Sequence, residues 1–519
     1  MKIERTKNAK RNMIFGTALK LYQILLPFLM RTAMIYCLGV QYLGLNSLFT
    51  SILQVLNLAE LGVGSAMVFS MYKPIAEDDH KTICALINLY KWYYRIIGAV
   101  VLVGGVLIVP FIPNLIEGDI PSDINVYVLY LLNLGATVLT YWLFAYRNSI
   151  LQGYQRNDVV SKVTIATDTV KYALQIGALF IFHNYYYYVI AILLTQIFAN
   201  ISTAIASKKL YPQYDPKGKL PKEEVKRING RIRDLFTAKL GYTIVNSADT
   251  IVISSFIGLT MLAIYQNYYF IMTAVIGIIN ILLGACTAGI GNSLVTETLD
   301  KNYKDLKKFS LMVIWVVGIC VCCFLNLYQP FMILWMGEDK LLSMGCVVLM
   351  CIYFYLYSTN HFMCTYKDAA GIWHEDRFRP LIASLVNLAM NLLLVNYIGI
   401  FAIILSTVLS YVFVTTPWLI HNLFSVLFKR SCKEFLGKFL YYTFAVVLAA
   451  ALSYLLCLPT PEKGISTILI RGIVSVIIPN VVFLLLLGRG EEYKGFLDMV
   501  DKLTKNKLVK ITNKLRVRT

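Results

Sequence analysis

Lys20, Gln23, Pro27 and Arg31 lie inside an apolar stretch of membrane-spanning length, residues 13–38. At a helical period they fall along one stripe, with Lys20 and Arg31 three turns apart and facing nearly the same way. Each Lys or Arg near the middle of a spanning helix costs roughly 2.5–3.5 kcal/mol on insertion scales, so such residues face a bundle interior or a water-filled cavity. The stripe reads as one wall of a positively lined chamber, and the guest it suits best is an anion, above all a phosphate. A second stretch, 234–256, repeats the pattern with Lys239, Thr243, Asn246 and Thr250 at helical spacing and Asp249 on the flank. Two further polar sets occur. Asp168 and Lys171 stand three apart, close enough on a helix to pair. Gln54, Asn57 and Glu60 run into Gly62 and Gly64, where a helix can bend. Each has a plainer reading: Asp168 with Lys171 as a neutral pair that holds packing, and Glu60 as the cap of a broken helix or the partner of a basic side chain.

The elements that carry these groups follow from composition. Of 519 residues, 58% are hydrophobic and only 15% charged, which places the chain among polytopic all-α membrane proteins. About fourteen stretches reach the roughly 20 residues a bilayer requires. They centre on 13–38, 42–70, 83–112, 124–145, 160–182, 186–205, 234–256, 262–292, 307–328, 342–364, 379–395, 400–427, 436–457 and 466–487. The basic start leads into an apolar run too long for a signal peptide, so the first helix is expected to remain as an anchor. With the N-terminus cytoplasmic, the external loops hold just Lys340 and Lys463 among basic residues, so the positive-inside rule puts both termini in the cytoplasm. The net charge of +19 then calls for anionic lipid headgroups as partners and for no nucleic acid. The 11 cysteines sit mostly in apolar runs with no CxxC, and the five histidines are scattered singly, so no metal centre is expected. With no P-loop, no GxSxG and no large external loop, an enzyme has no catalytic constellation to work with.

An internal repeat organises the chain. Leu38-Gly39-Val40-Gln41-Tyr42-Leu43-Gly44-Leu45-Asn46 aligns with Ile257-Gly258-Leu259-Thr260-Met261-Leu262-Ala263-Ile264-Tyr265 at a shift of 219, which also places Lys20 on Lys239. Tyr146-Arg147-Asn148 aligns with Tyr366-Lys367-Asp368 at nearly the same shift. Six spans separate equivalents, so the halves enter the membrane in the same direction. The expected division is a lobe over 1–205, a basic cytoplasmic connector over 206–233 with Pro212, Pro216 and Pro221, a second lobe over 234–427, two spans over 428–488 and a basic amphipathic tail over 489–519. Duplicated lobes in one chain predict a monomer.

Tyr42-Leu43-Gly44-Leu45-Asn46-Ser47-Leu48-Phe49, Leu58-Ala59-Glu60-Leu61-Gly62-Val63-Gly64-Ser65-Ala66 and Tyr72-Lys73-Pro74 resemble the opening of the Wzx-type polysaccharide flippases. Val245-Asn246-Ser247-Ala248-Asp249-Thr250, and Tyr366-Lys367-Asp368-Ala369-Ala370-Gly371 followed by Asp376-Arg377 and Arg379-Pro380, extend the likeness over about residues 10–430. The resemblance implies the multidrug, oligosaccharidyl-lipid and polysaccharide exporter fold, two six-helix bundles in a V with two further helices. It implies a bacterial plasma-membrane flippase that turns over an oligosaccharide linked through pyrophosphate to a polyprenol, by alternating access, near a polysaccharide polymerase and its chain-length machinery. Lys20, Arg31 and Lys239 would then hold the pyrophosphate and Asn246 the sugar. No cofactor is implied. A proton or sodium gradient would drive the cycle, with Glu60, Asp168 and Asp249 as the carboxylates able to titrate and Lys171 as a charge partner. A lipid-linked peptidoglycan precursor flippase and a cation-coupled multidrug exporter of the same superfamily are the alternatives. Two cations in the first span argue against the latter.

Overall fold

In a computed structural model that describes residues 5–118, 120–461, 463–495 and 497, the chain is helical, with no strand among those residues. Within the helices, the side chains of 5–7, 9, 10, 234, 237–239, 242, 244–246, 285 and 288 lie outside the described set. The helices are α1 (Arg5–Cys37), α2 (Val40–Leu56), α3 (Val63–Ala76), α4 (His80–Ile108), α5 (Val126–Trp142), α6 (Asn148–Gly153), α7 (Asn157–Phe180), α8 (Tyr185–Leu210) and α9 (Lys222–Phe256). They continue as α10 (Leu259–Thr296), α11 (Leu299–Met336), α12 (Met344–Ala369), α13 (Arg379–Ile398), α14 (Ile400–Ser410), α15 (Thr416–Asn422), α16 (Lys433–Cys457) and α17 (Ile465–Leu487). Among the described residues eleven spans are long and apolar enough to cross a membrane, or twelve if α5 and the segment after it, bent by 48°, count as one. The expected spans at 160–182 and 234–256 are helices α7 and α9, but their polar residues hold them outside that apolar set. Of the amphipathic tail, Phe496, Met499, Val500, Leu503, Ile511 and Leu515 lie outside the described residues.

Local chemistry explains where helices start. Asn125 caps α5 by accepting from the Tyr127 and Val128 N–H groups, and Asn184 caps α8 by accepting from Tyr186 N–H at 2.8 Å. Asp79 caps α4 through Thr82 N–H at 3.0 Å. The repeat reappears in the backbone. α1 ends at Cys37 and α2 begins at Val40, while α9 ends at Phe256 and α10 begins at Leu259, the same shift of 219 residues. The turn in each pair is made by a glycine at positive φ, Gly39 at 120° and Gly258 at 113°, a conformation that side chains with a Cβ rarely adopt. Gly118 and Gly337, at φ 84° and 92°, are a second such pair with the same separation.

Packing divides the chain into two units, Met1–Gln266 with Asn391–Gly399, and Asn267–Met390 with Ile400–Thr519. In the first, α1 packs on α7, α7 on α8, α8 on α5, α5 on α4 and α4 on α3, while α2 and α3 lie against α9. Leu45, Leu48 and Phe49 of α2 are fully buried there. In the second, α11 is the hub, packed against α12, α16 and α17. Small and polar groups hold this hub. Gly318 lets Phe483 and Val446 approach the α11 backbone, and Asn326 donates to the Ser453 hydroxyl at 3.1 Å and the Ser475 hydroxyl at 2.9 Å.

Candidate functional site

Two breaks in spanning helices meet one polar cavity in the first unit. Between α2 and α3 the chain tightens into a 3₁₀ turn, Asn57–Glu60, and then passes Gly62 at φ 88°. At the end of α5 the backbone turns through Phe144 at φ 58°. The cavity between them has a volume of about 220 Å³ and is lined by Asn57, Glu60, Tyr94, Thr137, Thr140, Tyr141, Ala145 and Gln196. Broken spanning helices that line a polar cavity are the usual setting for substrate and ion sites in transporters. Tyr94 of α4 donates to Glu60 Oε1 at 2.6 Å, and Tyr90 donates to the Tyr94 hydroxyl, also at 2.6 Å. Tyr141 of α5 reaches Asn57 Oδ1 at 2.9 Å and Glu60 Oε2 at 3.2 Å. Gln196 of α8 donates to the Thr140 hydroxyl at 3.1 Å. Glu60 is thus held by phenol donors from two other helices.

Arg31 belongs to a different cluster of the same unit. It is half-buried on α1, within electrostatic reach of Tyr188 on α8, which engages Gln175 of α7. Gln175 is 2% exposed, and its Oε1 has no hydrogen-bond partner among the described residues. Tyr185 stacks on Tyr188 with ring centroids 5.8 Å apart. Lys20, on the same stripe by period, is exposed instead. Helical spacing sets direction about one axis, but α1 packs along α7, and the surroundings change along its length. Tyr22, for example, shares a 2.8 Å hydrogen bond with Thr169 of α7.

Asp168 and Lys171 pair at 2.6 Å, and the Lys171 ammonium also lies 4.4 Å from the Tyr172 ring centroid. Asp249 is buried on α9 and accepts from Asn391 of α13 at 2.6 Å, while its neighbour Thr250 accepts from Gln266 at 2.9 Å. Lys239 and Asn246 lie on α9, but their side chains are outside the described residues. The structure therefore spreads the described candidates over separate clusters: Glu60 among tyrosines, Arg31 beside Tyr188, Asp168 with Lys171, and Asp249 with Asn391. Sequence reasoning missed Tyr94, Tyr141, Tyr188, Gln175 and Asn391. Asn391 carried a readable signal, since Asn387 and Asn391 stand one turn apart in an apolar span. The tyrosines carried none, because 35 are scattered through the chain.

The second pair of repeat-equivalent residues, Arg147 and Lys367, shares a role. Arg147 is 7% exposed and donates to the Tyr214 carbonyl at 3.1 Å and to Asp215 at 3.3 Å. Lys367 is 8% exposed and pairs with Asp376 at 3.0 Å, a carboxylate that also accepts from Arg379 Nε at 2.6 Å. Burial pulls the Asp376 carboxyl up, but Arg379 and Lys367 outweigh it and hold it below the usual carboxylate range.

A chain that is helical through its described residues, with broken spans and ionisable groups inside them, has the make-up of a multi-pass membrane protein. The fold is shared with a solved structure of the lipid II flippase MurJ in an inward closed conformation, at a TM-score of 0.66 and 15% identity, over 91% of this chain and 98% of that one. It is shared also with an inward-facing multidrug resistance MATE family transporter of the MOP superfamily, at 0.62 and 14% over 80% of this chain and 99% of that one. The Vibrio cholerae MATE transporter VcmN in its bent form matches at 0.51 and 15% over 80% and 96%. No curated protein matches the sequence. The family model described as "Polysaccharide biosynthesis protein" matches residues 9–288, and the chain belongs to that family.

Proposed function

We propose that this protein turns over an oligosaccharide repeat unit, linked through pyrophosphate to a polyprenol, from the inner to the outer leaflet of a bacterial plasma membrane for surface polysaccharide synthesis. The carrying observation is Arg31, a guanidinium within a spanning helix, within electrostatic reach of Tyr188, which in turn engages Gln175. A pyrophosphate leaving water needs cations and N–H or O–H donors to replace its hydration, and a guanidinium supplies both. Lys20 and Lys239 would add charge, and Asn246 would bind sugar. The polyprenol would stay in the lipid. Both termini would be cytoplasmic, and the protein would work as a monomer, alongside a polymerase and its chain-length machinery.

Alternating access needs an energy source, and a proton or sodium gradient is the proposed one. Glu60 is the best-placed carboxylate, because its donors come from α4 and α5, so a change in its charge would bear on how those helices pack. Asp249 is the next candidate. Asp168, paired with Lys171, is the weakest.

The test is leaflet transfer of polyprenyl-pyrophosphate oligosaccharide in proteoliposomes, comparing the native chain with Arg31→Ala and Lys239→Ala. Transfer by the native chain, with loss in both variants, is the expected result. Transfer of a lipid-linked peptidoglycan precursor in its place would move the substrate to that of the named MurJ flippase. Extrusion of a small organic cation with no lipid transfer would overturn the reading.

A further inference from the structure

A pocket of about 280 Å³ lies in the second unit between α11, α16 and α17 and the chain entering α12. Its lining is mixed, with Leu325, Ile333, Leu341 and Leu458 beside the polar Gln329, Tyr454 and Arg471. Among the described residues no carboxylate lines it. Arg471 donates through Nε to the Thr460 hydroxyl at 2.7 Å and through Nη2 to the carbonyls of Thr460 and Pro461 at 3.4 and 3.3 Å. Every one of these partners is neutral. The Nη1 hydrogens and the Tyr454 hydroxyl have no acceptor among the described residues. The two lysines at this end are spent on acids: Lys340 pairs with Asp339 at 3.2 Å, and Lys463 with Glu338. Among the described residues Arg471 meets neutral oxygens, which hold the guanidinium in place without cancelling its charge.

Depth narrows the ligand. Arg471 is six residues into α17, about 9 Å along the helix, the level at which headgroups meet acyl chains. Leu455, Leu469 and Ile470 nearby expose 58%, 62% and 48% of their surface. A cation and a hydroxyl beside apolar side chains at that depth match a phosphodiester with chains attached, and the cavity has room for the headgroup while the chains run along the exposed leucines.

We propose that this pocket binds an anionic phospholipid, with Arg471 and Tyr454 donating to its phosphate. The site is separate from Arg31 and from Glu60, and its test involves no transport step, so it stands or falls independently of the flippase reading.

The experiment measures the melting temperature of the detergent-purified full-length chain with added dioleoyl-phosphatidylglycerol, together with the phosphatidylglycerol retained after exchange into lipid-free detergent. The native chain should be stabilised by the lipid, and Arg471→Gln should bind it about tenfold more weakly, the effect of losing one charge-assisted hydrogen bond. Tyr454→Phe keeps the test alive if the arginine variant does not fold, and should show a smaller loss of the same kind. Lys463→Gln, at the same end, should behave as native. Equal stabilisation by inorganic phosphate would make this a free-anion site, and equal stabilisation by dioleoylglycerol would make it a purely apolar groove. Either result, or an undiminished response in both Arg471→Gln and Tyr454→Phe, overturns the proposal.

Discussion

Tyr94 donates its hydroxyl hydrogen to Glu60 Oε1 across 2.6 Å, joining α4 to the break between α2 and α3. The contact joins residues 34 positions apart in the chain, and both belong to a cavity lined from five helical segments.

Replacing Glu60 by Gln keeps the shape and removes the charge, and turns an N–H group toward a phenol that was donating. Hydrogen bonds to charged groups are worth roughly 1.5–3 kcal/mol, so leaflet transfer should fall about tenfold or more if the carboxylate takes part in the cycle. Tyr94→Phe should give a smaller loss. A Glu60→Gln chain that transfers at the native rate across a pH range would show that the carboxylate is structural.

Asp376 is 3% exposed and holds two buried cations, Lys367 and Arg379. Asp376→Asn leaves Arg379 without its counter-charge and Lys367 with Asp368 alone at 2.8 Å, and should destabilise the second unit by about 3–5 kcal/mol. The pH dependence has a definite sign. With the folded carboxyl held below its ordinary value, its stabilisation is complete above the unfolded pKa, about 3.9, and is lost as pH falls through the lower folded value. Melting curves of native and variant chains should therefore differ most at neutral pH and converge in acid.

A Cβ on Gly44 would meet the Leu259 carbonyl group well inside van der Waals contact, and backbone cannot swing aside as a side chain can. Gly44→Ala should cost about 1–3 kcal/mol, seen as a lower melting temperature. Gly135→Ala, in α5 with nothing within 4 Å of its new methyl group, should be neutral or mildly stabilising.

Arg147 fastens the connector through Tyr214 and Asp215. Arg147→Met keeps bulk and removes both contacts, so trypsin should cut at Lys217 and Lys219 several times faster than in the native chain, with local opening as the cause. An unchanged cleavage rate would mean that the Tyr154, Tyr211 and Tyr214 stack and the Asn88 bond to the Gly218 carbonyl suffice to hold this segment.

Much of this was legible beforehand. Asp168 and Lys171 were readable as a pair because an i, i+3 spacing on a helix brings side chains together whatever else the chain does. Gly39 and Gly258 were readable as equivalents because the residues around them match, and both turn at positive φ. The membrane class followed from apolar length alone. The tyrosines around Glu60 were not legible, since Tyr94 and Tyr141 are 34 and 81 residues away and belong to different helices.

The amino-acid sequence by itself determined that the chain is a bundle of membrane-length helices and that a small set of ionisable groups lies within them. Both properties are local, set by hydropathy and by the demand that backbone polar groups be satisfied within each helix. Only the tertiary structure decided which partner each charge met. Lys20 and Arg31 point nearly the same way by helical period, yet one is exposed and the other lies beside Tyr188, because what a helix face meets depends on the neighbour packed against it at that level.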